Sequence, residues 1–291
     1  MDYQIKNDFL MITVSSRGGE LQSVRDKNGT EYLWQGDKAY WSGRAPHLFP
    51  YIGRLTEGKY KADNQVYTMN KHGFIRTAEL QIEILQENRM VLRMDADEKT
   101  KEQYPYDFIC RICYELEEHT LSITYQVENH GDRDMFFGIG GHPGFCVPLE
   151  KDLSFEDYYL EFTTPCNPTQ IGFSEECFLN GEDVEYPLEK GALIRLKHSL
   201  FDDDAIVLKD MSREIVLKSD RGNRGVTVSY PDMDYLGIWH QPKTDAPYVC
   251  IEPWASLPSR QGLIESLETQ PSLISLAVGK KYCNRWSIAF N

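Results

Sequence analysis

No stretch of the 291-residue chain stays apolar long enough to cross a membrane. The longest runs, such as residues 9–14, fall far short of the roughly 18 residues that a span requires. Basic charge is scarce too: 31 Lys and Arg stand against 45 Asp and Glu, a formal charge of −14. That field repels polyanions and excludes a nucleic-acid partner, although a local arginine pair can still grip one phosphate. Met1-Asp2-Tyr3 opens without a basic segment, a long apolar run or a small-residue cleavage site, which predicts a cytoplasmic protein. The seven cysteines are odd in number and widely spread, so reduced thiols are expected. Cys110-Arg111-Ile112-Cys113 has the spacing of a zinc or redox pair but no second pair, and Asp202-Asp203-Asp204 lacks the spaced loop of a calcium site. A Gly-rich phosphate loop and a Gly-x-Ser-x-Gly elbow are absent as well. Neither a metal nor an organic cofactor is expected.

Long amphipathic helices are also missing; residues 46–51 and 262–267 offer a turn or two at most. What fills the chain is alternation. Leu121-Ser122-Ile123-Thr124-Tyr125-Gln126-Val127-Glu128 switches between apolar and polar at every step, giving a strand one dry face and one wet. Residues 80–84, 193–196, 214–218 and 226–230 repeat the pattern. Asn28-Gly29, His130-Gly131 and Asn180-Gly181 supply the positive φ of tight turns. At 41% hydrophobic and 12% aromatic, the composition supports a large core. No linker, repeat or charge block divides it. These features predict an all-β fold, a large antiparallel β-sandwich of about 20 strands, formed by residues 1–291 as a single domain.

Three histidines stand in glycine- or aromatic-rich settings that suit a site. They are His72 in Lys71-His72-Gly73-Phe74, His142 in Gly140-Gly141-His142-Pro143-Gly144, and His240 in Trp239-His240-Gln241. His119, His130 and His198 lie in polar company and read as solvated. Glu252 ends the apolar run Tyr248-Val249-Cys250-Ile251 and precedes Pro253-Trp254. Partial desolvation there raises a carboxyl pKa and makes a better base near neutrality. Phe74, Phe145, Trp239 and Trp254 flank these groups. An aromatic face beside acids and histidines suits a sugar, whose C–H face packs on the ring.

Taken in order, Gly43-Arg44-Ala45-Pro46-His47-Leu48-Phe49-Pro50-Tyr51-Ile52-Gly53-Arg54, Lys71-His72-Gly73-Phe74, residues 127–145 and Val249-Cys250-Ile251-Glu252-Pro253-Trp254 resemble the aldose 1-epimerase (galactose mutarotase) family, most closely its LacX-like branch. The resemblance implies a sugar cleft on one concave sheet and interconversion of the α and β anomers of a free aldose. It implies His142 as the proton donor to the ring oxygen and Glu252 as the base on the anomeric hydroxyl. It also implies sugar binding by Arg54, His72 and an aspartate falling at Asp203, with Asp202 and Asp204 as neighbouring registers. Phe74, Trp239, His240 and Trp254 are expected to wall the pocket. Phe74 stands where galactose mutarotases usually carry a second glycine, and the residues after His142 and Glu252 also depart from their pattern.

The leading expectation is a mutarotase for a neutral hexose, acting as a monomer or homodimer on a small-molecule sugar. A hexose-6-phosphate epimerase, using Arg44, Arg54 or Arg76 on the phosphate, and a non-catalytic sugar-binding or regulatory protein are the alternatives.

Overall fold

The computed structural model describes residues 1–291. Where the sequence alternates, the backbone is extended. Residues 121–128 lie inside the strand Thr120–Asn129, and Leu121, Ile123, Tyr125 and Val127 on its dry face are fully buried. Gln81–Leu85, Leu193–Arg195, Glu214–Lys218 and Val226–Ser229 are the other strands read from alternation.

Two large antiparallel sheets result. One has nine strands in the order Leu193–Arg195, Tyr159–Phe162, Glu214–Lys218, Val226–Ser229, Lys281–Phe290, Thr120–Asn129, Phe108–Glu117, Arg89–Asp95 and Gln81–Leu85. The other runs through Val184–Glu185, Thr169–Gln170, Ile206–Lys209, Tyr235–Trp239, Tyr248–Trp254, Gly140–Gly141 and His47–Leu48, with Gly144–Cys146 also pairing to Tyr248–Trp254. The sheets share one core of 63 buried residues, to which the first contributes Ile123, Tyr125 and Trp286 and the second Leu236, Ile238, Val249 and Ile251. This is the antiparallel sandwich, closed by the hydrophobic effect between two inner faces. On the outer face of the nine-stranded sheet Arg93 and Arg111 stand directly opposite each other. Glu83 bridges the two, at 3.1 and 2.7 Å, which offsets their repulsion.

The local readings need four corrections. Residues 46–51 are not helical: His47–Leu48 is a strand held by Gly140–Gly141. Near 262–267 the helical turn lies further on, as the 3₁₀ segment Leu267–Thr269. A short helix the pattern did not announce, Glu98–Gln103, is nucleated by Asp97, whose side chain accepts from Thr100 N–H while Thr100 Oγ1 accepts from Asp97 N–H. Gly29 and Gly181 take positive φ, but Gly131 does not. Its N–H is tied to Asn129 Oδ1, and the chain runs on to Met135–Phe137, which pairs with Ile274–Leu276 instead of folding back as a hairpin. No helix is long and apolar enough to cross a membrane.

Candidate active site

The strand Tyr248–Trp254 is buried along its whole length and carries Glu252. Gly140 pairs with Trp254 and Gly144 with Cys250, so the register sets His142 opposite Glu252 across a short break in the ladder. Directly opposed residues project from the same face. His142 Nε2 therefore lies 3.2 Å from Glu252 Oε2. On the other side Glu252 is paired with Gly237. A Cβ there would sit 3.2 Å from the Glu252 Cβ and 3.1 Å from the Trp254 ring, so a side chain at 237 would crowd the carboxylate. Trp41 stacks on the His142 ring at 4.9 Å, and Trp239 meets it edge-on at 5.6 Å.

His72 arrives on a different loop, its ring 5.8 Å from that of His142. Its φ of 69° is left-handed, a conformation costly for a residue with a Cβ. Two bonds hold it: His72 N–H donates to the Gly53 carbonyl at 2.8 Å, and Gly53 N–H donates to His72 Nδ1 at 3.1 Å. The second bond fixes the tautomer, leaving Nε2 to carry the ring proton. Gly73 follows at φ 71°, where a Cβ would stand 2.2 Å from the Phe49 carbonyl oxygen. That turn throws Phe74 inward, onto Phe49, Tyr104 and Phe108.

Around the pair opens a cleft of about 1370 Å³, larger than the roughly 300–1,000 Å³ of most ligand pockets. Its lining includes Arg54, His72, His142, Asp203, Trp239, Glu252 and Trp254. Asp202 and Asp204 line it too, and Asp204 is the aspartate whose charge reaches Glu252. Two expected wall residues lie elsewhere. Phe74 belongs to the core, for the reason just given. His240 is fully buried just past the end of the strand Tyr235–Trp239, bonded through Nδ1 to the Gln241 carbonyl at 2.7 Å and facing His198 Nδ1 at 3.1 Å. Of the arginines, Arg44 is spent on the Gln22 carbonyl, whereas Arg54 and Arg76 face the cleft.

Burial governs the protonation of the site. It pushes the His142 pKa down to about 3, with nearby Lys71 and Arg76 assisting, and lowers His72 well below the usual histidine range. It raises Glu252 well above the usual carboxyl value; Asp204 adds to the rise, while Lys71 and the Trp254 indole oppose it. Each group is driven toward its neutral form. Both shifts favour a neutral imidazole beside a neutral carboxyl.

Several contributors were not among the site residues expected from the sequence. Trp41 and Lys71 lie in loops without periodicity, and Trp41 earns its place only by stacking. His47 sits behind the site on the strand that pairs with Gly141, between the hydroxyls of Tyr125, 2.7 Å from Nδ1, and Tyr114, 2.5 Å from Nε2. Each hydroxyl also meets a backbone carbonyl, Tyr114 at 2.6 Å from Gly19 and Tyr125 at 3.1 Å from Gly140. A chain of partners of this kind is recognisable only once the strands are paired.

The chain that sets this His–Glu pair into the sheet of an antiparallel sandwich has counterparts among known sequences. Residues 1–270 match the profile described as aldose 1-epimerase, and the chain belongs to the aldose 1-epimerase family. Within it the chain falls in the LacX-like branch. It is 32% identical to the chromosomal LacX protein of Lactococcus lactis subsp. lactis over 282 residues, 94% of each chain. Among solved structures, a galactose mutarotase related enzyme from Lactobacillus acidophilus superposes with a TM-score of 0.95 at 31% identity, over 100% of this chain and 97% of that one. A galactose mutarotase-like protein from Lactobacillus casei gives 0.93 at 28% identity, over 100% of both.

Proposed function

We propose that this protein interconverts the α and β anomers of a free aldohexose by acid–base ring opening and closure. The observation that carries the reading is the contact between His142 Nε2 and Glu252 Oε2, 3.2 Å apart, buried in the sheet and bordering the cleft. Opening a pyranose needs one proton delivered to the ring oxygen and one removed from the anomeric hydroxyl, and two adjacent groups suffice. His142 gives its proton to O5 while Glu252 takes the proton from O1. The C1–O5 bond breaks, C1 turns about its bond to C2, and O5 re-attacks from the other face as both protons return.

The bookkeeping of protons follows from burial. Opening starts from imidazolium and carboxylate, an arrangement one proton transfer away from the resting pair and favoured by sugar hydroxyls donating to the carboxylate. It ends with neutral imidazole and protonated Glu252 beside the open-chain aldehyde. That is the state the buried site prefers, so the protein stabilises the high-energy stage of the cycle. Each positioned group contributes about 10²–10⁴-fold, or roughly 3–5 kcal/mol of barrier. Arg54, His72 and Asp203 bind hydroxyls in this reading, His72 as a donor through Nε2–H, and Trp239 and Trp254 supply apolar faces.

One observation favours a second reading. Arg17, Arg54, Lys71 and Arg76 all line the cleft of a strongly acidic protein, and none of them has an ion-pair partner within the structure. Unpaired cations at a sugar cleft suit a phosphorylated hexose. Polarimetry of freshly dissolved α-D-galactose and α-D-glucose, beside a coupled assay on α-hexose 6-phosphates, tests both. Acceleration of a free sugar supports the first reading, and acceleration confined to phosphates supports the second. No acceleration of any overturns the enzymatic assignment.

A further inference from the structure

The face that presents Glu252 also presents a thiol. Cys250 lies two residues earlier on the same strand, so strand alternation sets its Sγ on the same side as the carboxylate, and the register brings His142 to both. One donor atom from each of His142, Cys250 and Glu252 falls within 4.8 Å of the others. The three are 9%, 0% and 1% exposed. Two polar atoms in this group have no hydrogen-bond partner, His142 Nδ1 and Glu252 Oε2. The contact between His142 and Glu252 is close without being aligned as a hydrogen bond. Nitrogen, sulfur and oxygen donors on one buried face form a ligand set for a borderline-soft divalent ion.

We propose that His142, Cys250 and Glu252 form an inhibitory site for zinc or a similar divalent transition-metal ion, which shuts the active site by capturing its acid and base. Bonds of about 2.0–2.3 Å in tetrahedral geometry hold donors roughly 3.3–3.8 Å apart, so the set closes by at most about 1.5 Å on binding. The thiol and the Glu252 carboxyl each give a proton to solvent as the ion enters. Thiolate and carboxylate then neutralise the dication, which is the charge balance a dry site demands. The fourth position opens toward the cleft and takes water. Asp204 attracts the ion and Lys71 repels it, both being within charge range of Glu252. The proposal concerns binding by this chain's own residues, and its first readout needs no catalytic activity.

The experiment uses the full chain, stripped with a chelator and kept reduced. Equilibrium dialysis against zinc should show one strong site per chain. Cobalt loading should give a thiolate-to-metal charge-transfer band in the near ultraviolet. Cys250→Ser and Cys250→Ala should lose the band and bind zinc roughly 100-fold or more weakly, since losing even an outer-shell partner costs about 10–100-fold. Cys177→Ser, at the cleft wall, should bind zinc as the wild type does, and His142→Asn should weaken binding as the Cys250 variants do. Where mutarotation is measurable, zinc should abolish it in the wild type, a chelator should restore it, and Cys250→Ser should retain activity and resist zinc. Zinc binding unchanged in both Cys250 variants overturns the site. Zinc that raises activity overturns its inhibitory role.

Discussion

Glu252→Gln separates chemistry from folding more cleanly than any other substitution in this protein. The side chain is 1% exposed and abuts Gly237, so an isosteric amide fills the same space and leaves no cavity. It also removes no charge on which the fold relies, because burial already holds the carboxyl in its neutral form. A carboxyl whose folded pKa exceeds its unfolded value makes the fold less stable as pH rises between the two. The unfolded chain releases its proton there while the folded chain keeps it. Gln abolishes that loss, so the melting temperature at pH 8 should equal or exceed the wild-type value. Activity should move the other way. The amide cannot accept the anomeric proton, and kcat should fall about 10²–10⁴-fold, or roughly 3–5 kcal/mol, with KM changing far less. Polarimetry in weakly buffered solution, with the uncatalysed rate subtracted, gives both constants, and calorimetry gives the stability. A variant that keeps more than about a tenth of the wild-type kcat has lost under roughly 1.4 kcal/mol of barrier. Glu252 would then not be the base, and Asp204, the nearest other carboxylate by charge, would take its place.

His142→Asn should lose a comparable 10²–10⁴-fold in kcat, about the contribution of one positioned acid, as measured by the same polarimetry. On its acid side the pH profile of kcat/KM should show no limb near the ordinary histidine value, because burial lowers the His142 pKa to about 3. Dialysis against a strong chelator should leave mutarotation unchanged; a loss restored by zinc or calcium would refute a metal-free mechanism. His47 predicts acid sensitivity of the fold. Its pKa is lowered from 6.5 to about 4 by burial, so below pH 6.5 the unfolded chain binds a proton that the folded chain refuses. Stability should therefore fall by about 3 kcal/mol as pH drops from 6.5 to 4. Denaturant titrations at the two pH values should show a smaller drop in His47→Gln, whose amide can still donate to one tyrosine and accept from the other.

Alternation in the long strands was legible because one face of each is fully dry: Leu121, Ile123, Tyr125 and Val127 announce Thr120–Asn129 without ambiguity. The cleft sheet is harder to read. Tyr248–Trp254 is buried on both faces and so loses its period, and Gly140–Gly141 and Gly144–Cys146 are too short to show one. His72, His142 and Glu252 stood out by glycine and aromatic company, but that company does not say which way a side chain points. His240 shares its setting with Trp239, yet it follows the end of the strand and packs on Phe155, His198 and Phe201 while Trp239 lines the cleft. Phe74 follows a left-handed pair whose φ is set by contacts with residues 49 and 53. Trp41, Lys71 and His47 depend wholly on pairings between distant segments, which local pattern does not encode.

The placement of His142 directly across a strand pair from Glu252 bears on how such an enzyme can change. The reach between the proposed acid and base is set by the spacing of neighbouring strands, about 4.8 Å, and by backbone hydrogen bonds on either side of the break. It does not depend on any loop. The residues proposed to meet the rest of the sugar, by contrast, sit on turns: Arg54 and His72 on two that clasp each other, and Asp202, Asp203 and Asp204 after the 3₁₀ segment His198–Phe201. Drift in those turns can therefore retune which sugar fits while the reacting atoms stay fixed. Grafting the 198–205 segment, which carries these cleft-lining aspartates, from a relative with another preference should shift selectivity at little cost in turnover. Diversity of substrate within one fold is then a property of its rim, and constancy of reaction a property of its weave.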